Sequence, residues 1–246
     1  MKNIISILAS ALIITGTATQ AQDAWVDSYD SLLSKYVTSS GVKYESWHAN
    51  SADMKALDGV VNSIAKQSLS GKSKYEKLAF YLNAYNANIL DKILNDYPTD
   101  GPGGGGMLGR NRFFKSNNVI VAGKTTSFQA LENETIRPGF NEPRIHFALN
   151  CASASCPPLN TTAFRAATLD ITLESLTNNF INSNPRGVGK ISKGKVAVSK
   201  LFDWYEDDFN AVGGALAFIN AKRDTKLPNS TKVTFQDYSW KLNAAR

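Results

Sequence analysis

Residues 74–95, KYEKLAFYLNAYNANILDKILN, decide the fold. Leu78, Tyr81, Leu82, Tyr85, Ile89 and Ile93 recur at helical spacing, and Ala79, Asn83, Asn86 and Leu90 fill the neighbouring face. A helix apolar over so much of its circumference belongs at the centre of a domain, which puts the Asn83 and Asn86 amides in or near the interior. A buried amide left without partners costs about 1–3 kcal/mol. The favoured reading is that these amides pin a neighbouring loop; the other is that they orient a site residue or bind substrate.

Working outward from this helix, Trp25, Leu32, Leu33 and Tyr36 predict an N-terminal helix within residues 22–41, stopped by Gly41. Val42 to Trp47 reads as a short extended piece. Ser51 or Asp53 caps a further helix with Leu57, Val60, Val61 and Ile64 on its buried stripe. Beyond the central helix, Pro98 to Gly109 is a glycine-rich connector that lacks the Gly-Lys-Ser/Thr ending of a phosphate loop. Hairpins are expected around Gly123 and around Lys193-Gly194, the latter from Val188–Ile191 and Lys195–Val198. Ser127 caps a short helix carrying Glu132 and Glu134, Leu169 to Ile181 is amphipathic, and Lys232–Phe235 and Tyr238–Leu242 suggest a final strand. Helices early and strands late indicate an α+β class, one domain with a small antiparallel sheet.

Residues 1–21 carry one positive charge at Lys2, an apolar core from Ile4 to Ile14 and small residues approaching Ala21. This is the pattern of a signal peptide cleaved after Ala21, and it predicts a periplasmic or secreted protein. No other stretch approaches the ~20 apolar residues of a membrane span. An apolar fraction of 43% suffices for a core, and the formal charge of +6 arises in part from lysines spread through the second hairpin. Without a compact basic stripe interleaved with aromatics, nucleic-acid binding is not expected.

The chemistry concentrates in Arg144-Ile-His-Phe-Ala-Leu-Asn-Cys-Ala-Ser-Ala-Ser-Cys-Pro-Pro158, which holds both cysteines and one of two histidines. Ile145 to Leu149 reads as a buried strand emptying into a small-residue loop. Cys151 or Cys156 would be a nucleophile, His146 its base, Glu132 or an asparagine amide the orienter, and backbone amides around Ser153 to Cys156 the oxyanion donors. Ser153 and Ser155 would contact substrate. On a regular strand His146 and Cys151 point to opposite faces, so they meet only if the chain bends near Asn150. His48 remains the alternative base. Two cysteines with four residues between them in an exported chain also allow a disulfide, structural or redox-active. A zinc site from His146, Cys151 and Cys156 with His48 or Glu132 fits no familiar ligand spacing, and no metal or cofactor is expected. Phe202, Trp204, Tyr205 and Phe209 beside Asp203, Glu206, Asp207 and Asp208 offer a binding surface for sugar or peptide, or core packing with a solvated acidic face.

Leu78–Asn86, Phe128–Pro138, Arg144–Pro158, Leu201–Phe209 and Trp240–Asn243 together resemble the family known as domain of unknown function 547. The resemblance runs over residues 42–243. It implies an organisation similar to papain-like and transglutaminase-like cysteine hydrolases, a central helix packed on a small antiparallel sheet. The chain departs from that pattern in placing Asn83 and Asn86 where such enzymes carry the nucleophilic cysteine, and Ser239 where relatives often have aspartate. The function expected is thiol-dependent hydrolysis or transfer on a peptide-like or amide substrate. The alternative is a non-catalytic envelope binding or scaffolding protein with a Cys151–Cys156 disulfide, its partner a peptide-like or cell-envelope ligand.

Overall fold

The structure, a computed structural model, describes residues 16–116 and 118–245. The leader expected over residues 1–21 lies outside the described residues as far as residue 15. From there the chain forms α1 (Gly16–Tyr36), a hairpin of β1 (Val37–Thr38) and β2 (Gly41–Val42), then α2 (Tyr44–His48), α3 (Ser51–Lys66) and α4 (Lys74–Asn95). The first helix ends at Tyr36 because the chain reverses there, and the segment read as extended to Trp47 coils into α2 after two residues. The cap of α3 is Asn50, whose side chain accepts from the Asp53 amide.

Helix α4 has the bounds its periodicity predicts. Ser73 closes a capping box with Glu76, satisfying two amides at the N-terminus. Along its length Leu78, Leu82, Tyr85, Ile89 and Ile93 are buried, and so are Asn83 and Asn86. It packs against α2, α3 and the helical turns around residues 131–136 and 166–168, with Trp25, Tyr29, Trp47 and Leu57 in the same apolar cluster. At about 25 cal/mol per Å² of apolar surface, this burial is the main source of stability.

After α4 the glycine-rich connector leads into α5 (Met107–Lys115), and Val119–Val121 (β3) pairs antiparallel with Lys124–Thr126 (β4) as the Gly123 turn predicts. A continuous helical stretch follows: α6 (Phe128–Ala130), a π-helical turn (Leu131–Ile136) and α7 (Arg137–Phe140). Ser127 caps it as expected. The predicted strand at Ile145–Leu149 is instead a 3-10 turn, Pro143–Phe147. Pro143 presets the first position of that turn, and Arg144 anchors it through Glu142, Asp170 and Glu174.

The remainder comprises α8 (Leu169–Asn182), β5 (Lys195–Val198), α9 (Leu201–Trp204), α10 (Glu206–Asn210), α11 (Ala215–Lys222) and β6 (Lys232–Phe235). The hairpin expected around Lys193-Gly194 survives as single antiparallel bridges at Val188–Val198 and Ser192–Lys195. The ladder of β5 is formed with β6 and is parallel. Phe147, Phe180, Phe202, Phe209 and Phe218 make a second apolar cluster. Phe202 and Phe209 are thus core. The architecture is α+β in a single domain with small sheets, and among the described residues no helix is long and apolar enough to cross a membrane.

The C-terminal segment 239–245 closes the molecule. Its backbone bonds to Asp100, Ala152, Ala154, Ser155 and Val42, joining three regions far apart in sequence. Gly101 and Gly41 let it approach. Both have positive φ, and a Cβ would collide with the Trp240 carbonyl at Gly101 and with the Asn243 carbonyl at Gly41.

Asn83 uses its amide to hold the Phe164 backbone, donating to the carbonyl at 2.8 Å and accepting from the N–H at 2.8 Å. Replacing it orphans two buried groups. Asn83→Ala is expected to destabilise the fold by about 2–4 kcal/mol in urea unfolding while leaving the alkylation rate of Cys151 unchanged. A loss below experimental error would show that the pair is hydrated.

Candidate active site

The cysteine loop is held from below by α4. Asn86 donates to the Ala148 carbonyl at 2.9 Å and accepts from the Asn150 N–H at 2.9 Å. Asn150, itself buried, donates to the Pro157 carbonyl at 2.7 Å and accepts from the Ala152 N–H at 2.9 Å, tying both ends of the loop together. Ala152 is left at φ +60, a left-handed conformation that costs an alanine about 1–2 kcal/mol. This strain lies one residue from the candidate nucleophile. Asn83 and Asn86 therefore both pin backbone, and neither lines the cleft described next.

Cys151 and Cys156 are unbridged, Cys151 half-buried and Cys156 buried. Their sulfurs lie 2.9 Å apart, and the Cys151 N–H donates to Cys156 Sγ at 3.0 Å. Around Cys151 Sγ stand Ser153 Oγ at 3.1 Å and the Tyr238 hydroxyl at 3.2 Å. Burial pushes the Cys151 thiol up, but the hydrogen bonds from Cys156, Ser153 and Tyr238 outweigh it and bring it down to about 7. The Cys156 thiol moves the other way, pushed well up by burial and then by its neighbour's sulfur. Burial and the Cys151 charge likewise keep the Tyr238 phenol protonated, so it remains a donor.

Both sulfurs open onto a cleft of about 580 Å3 that His146 and Glu132 also line. Because residues 143–147 form a 3-10 turn, the alternation expected of a strand does not apply to His146. Its neighbours divide between the cores, Ile145 packing in the first and Phe147 in the second. The imidazole stacks on Tyr205 at 3.8 Å, and its Nε2 lies 2.7 Å from Asp208 Oδ2. Arg137 donates to the same carboxylate at 2.7 and 2.9 Å. Burial raises the Asp208 carboxyl, but the bonds from His146 and Arg137 hold it far below the usual range. An ionised carboxylate only accepts, so Nε2 donates to Asp208 and the ring turns Nδ1 the other way. Nδ1 is buried, has no hydrogen-bond partner, and lies 3.9 Å from Glu132 Oε1. Glu132 projects from the π turn, a distortion that recurs at functional sites.

No hydrogen bond joins His146 to either sulfur. The structure brings Cys151, Cys156, His146 and Glu132 to one cleft, with Ser153 against Cys151. It turns Ser155 away, its Oγ accepting from the Ser239 N–H at 2.9 Å. His48 is exposed and bonded to the Leu94 carbonyl, away from this cleft. The amides of Ala154, Ser155 and Cys156, expected as oxyanion donors, are consumed by Lys241, Ser239 and Ser153. Facing the thiol instead are the Ser153 and Tyr238 hydroxyls, Ser153 donating to Tyr238 at 2.9 Å. Among the described residues no cluster of three or more His, Cys, Asp or Glu side chains is placed to hold a metal.

Several site residues went unread in the sequence. Asp208 sits in an acidic run read as a solvated face, Arg137 in a helix end, and Tyr238 and Trp240 in a terminal strand. Trp204, 41% exposed, meets Tyr238 at 4.6 Å and Trp240 at 5.7 Å, forming an aromatic wall of the cleft. Arg110 lies 4.4 Å over the Trp240 ring. Only the aromatic-acidic segment hinted at this, and which of its members faced the cleft was not encoded in its spacing.

Two outcomes follow from these couplings. Alkylation of Cys151 should titrate with a midpoint near pH 7, and Tyr238→Phe should move that midpoint upward by removing a donor to the thiolate; an unchanged midpoint would exclude the phenol. The depressed Asp208 carboxyl contributes stability that is complete above its unfolded value, about 4, and is lost as pH falls toward the folded one. Chemical unfolding should therefore find wild type and Asp208→Asn furthest apart at neutral pH, converging in acid.

No curated protein and no solved structure gives a match to this chain. Residues 69–181, from the turn before α4 to the last turn of α8, match the family described as "Protein of unknown function, DUF547". Three of the five motifs fall inside that match, while Leu201–Phe209 and Trp240–Asn243 lie beyond it. The family resemblance holds for the segment that carries the central helix, Glu132, His146 and both cysteines.

Proposed function

We propose that the chain is an exported thiol-dependent hydrolase or transferase acting on a peptide-like or amide substrate. The observation that carries this reading is the Cys151 sulfur, brought toward neutrality by Ser153, Tyr238 and Cys156 at the edge of an open cleft. In this mechanism the Cys151 thiolate attacks the substrate carbonyl, forming a carbon–sulfur bond. The oxyanion is met by the hydroxyl of Tyr238 or Ser153. His146, oriented by Asp208 through Nε2, first takes at Nδ1 the proton that the Cys151 thiol gives up and passes it to the departing amine as the carbon–nitrogen bond breaks. It then takes one from the water or acceptor amine that displaces Cys151 as thiolate and releases the acyl group. Glu132 stands on the Nδ1 side, where it stabilises the imidazolium that forms. The aromatic wall of Trp204, Tyr238 and Trp240 supplies flat apolar surface for substrate flanks.

Turnover of fluorogenic peptide amides by the mature protein provides the test. Cys151→Ser should abolish it, and Asp208→Asn should lower kcat by about 10²–10⁴-fold by releasing the imidazole orientation. Full turnover by Cys151→Ser would sink the reading. Export is checked separately by the N-terminal mass of protein from the periplasm, expected to begin after Ala21.

A further inference from the structure

The second sulfur is superfluous to acyl transfer. A hydroxyl would serve as well as Cys156 for lowering the thiol of Cys151, yet Cys156 lies 2.9 Å from it, with the Cys151 N–H aimed at its sulfur at 3.0 Å. Closing a bond of about 2.05 Å from there needs a shift of under an ångström. The two cysteines also differ in burial: both line the cleft, but Cys151 is half-buried and Cys156 buried.

We propose that Cys151 and Cys156 form a working dithiol that exchanges with external disulfides, Cys151 being the attacking sulfur and Cys156 the resolving one. The substrate is an accessible disulfide, of a small thiol or of a polypeptide. In the first step the Cys151 thiolate attacks one sulfur of R–S–S–R, forming Cys151–S–S–R and expelling one thiolate. In the second, Cys156 attacks Cys151 Sγ, the Cys156–Cys151 bond forms, and the other thiol leaves carrying the proton that Cys156 gives up. The sum is one protein dithiol and one disulfide converted to one protein disulfide and two thiols. The external disulfide is the oxidant. Run in reverse, the same steps oxidise an external dithiol.

The order of the two steps follows from the surroundings of the sulfurs. Cys151 ionises near neutrality, as an attacking thiol must. Cys156 is held protonated by burial, by its bond to Cys151 and by the charge on that sulfur. The first step removes that charge, since a mixed disulfide is neutral. The Cys151 N–H remains to stabilise the Cys156 thiolate as it forms. Cys156 is thus released to react by the event that creates its target. Asn150 holds the loop closed at both ends, so the sulfurs stay adjacent through the exchange.

The experiment equilibrates the reduced full chain with glutathione buffers of increasing oxidised fraction, quenches in acid, alkylates and reads intact mass with peptide mapping. Expected is a single conversion from dithiol to an internal Cys151–Cys156 disulfide, lighter by two hydrogens, reversed by dithiothreitol. It should form several-fold faster than in the urea-unfolded chain, with glutathione adducts remaining minor. Cys156→Ser should instead accumulate glutathione on Cys151. A lasting adduct on wild-type Cys151 without the internal bond, no reaction of either thiol, or closure no faster than in the unfolded chain would each overturn the proposal. Amide turnover, measured on the same reduced wild type, fails or succeeds independently. Loss of that activity with a normal exchange curve removes the acyl-transfer reading alone, and turnover with no exchange removes the dithiol alone.

Discussion

Three asparagine amides in series hold the site in place. Asn86 on α4 grips the backbone at Ala148 and Asn150, Asn150 spans the loop from Ala152 to Pro157, and Asn243 donates to Asn150 at 3.2 Å while accepting from the Tyr44 hydroxyl at 2.8 Å. Each member satisfies its partners' buried groups as well as its own. An amide suits this position because it donates from nitrogen and accepts at oxygen, two separate atoms of one short, neutral side chain; an ionised carboxylate cannot donate, and a hydroxyl must do both from a single atom. The chain of amides links the central helix, the cysteine loop, the C-terminal segment and α2, and it accommodates the strained backbone at Ala152 between two sulfurs.

On that frame, burial acts in one direction on the two thiols, on Tyr238 and on Asp208, and specific contacts decide the result. Low polarity opposes the charged form of Cys151, Cys156, Tyr238 and Asp208 alike. Donors reverse the effect for Cys151, and Arg137 with His146 reverses it for Asp208. No such set reverses it for Cys156. Two thiols in contact thereby acquire different characters, and a histidine gains a fixed orientation from a carboxylate that a guanidinium keeps ionised.

What the sequence made legible follows from the range of the physics involved. The 3.6-residue period of α4 is local and repeated six times over, so its bounds and its buried amides could be read directly. The Ser127 cap and the Gly123 turn are equally local. The apolar run from Ile145 to Leu149 was ambiguous by nature, because period alone does not separate a buried strand from a tight helical turn, and Pro143 tipped it to the latter. Candidate residues Cys151, Cys156, His146 and Glu132 were found from chemistry in one motif and its neighbour. Asp208 and Tyr238 were not, because their contacts with His146 and Cys151 span 62 and 87 residues. An acidic residue among acidic residues carries no local mark of the partner it will meet.

The reach of the C-terminal segment has a temporal meaning. Tyr238, one of the groups that acidify Cys151, lies on the chain beside the strap that passes flush over Gly101 and Gly41. During synthesis the cysteine loop emerges well before that phenol exists. Until the tail docks, the Cys151 sulfur lacks one of the three side chains that lower it, the other two being Cys156 and Ser153. The full acidity of that sulfur is in this respect a property of the completed fold, drawn from side chains at both ends of an 87-residue span.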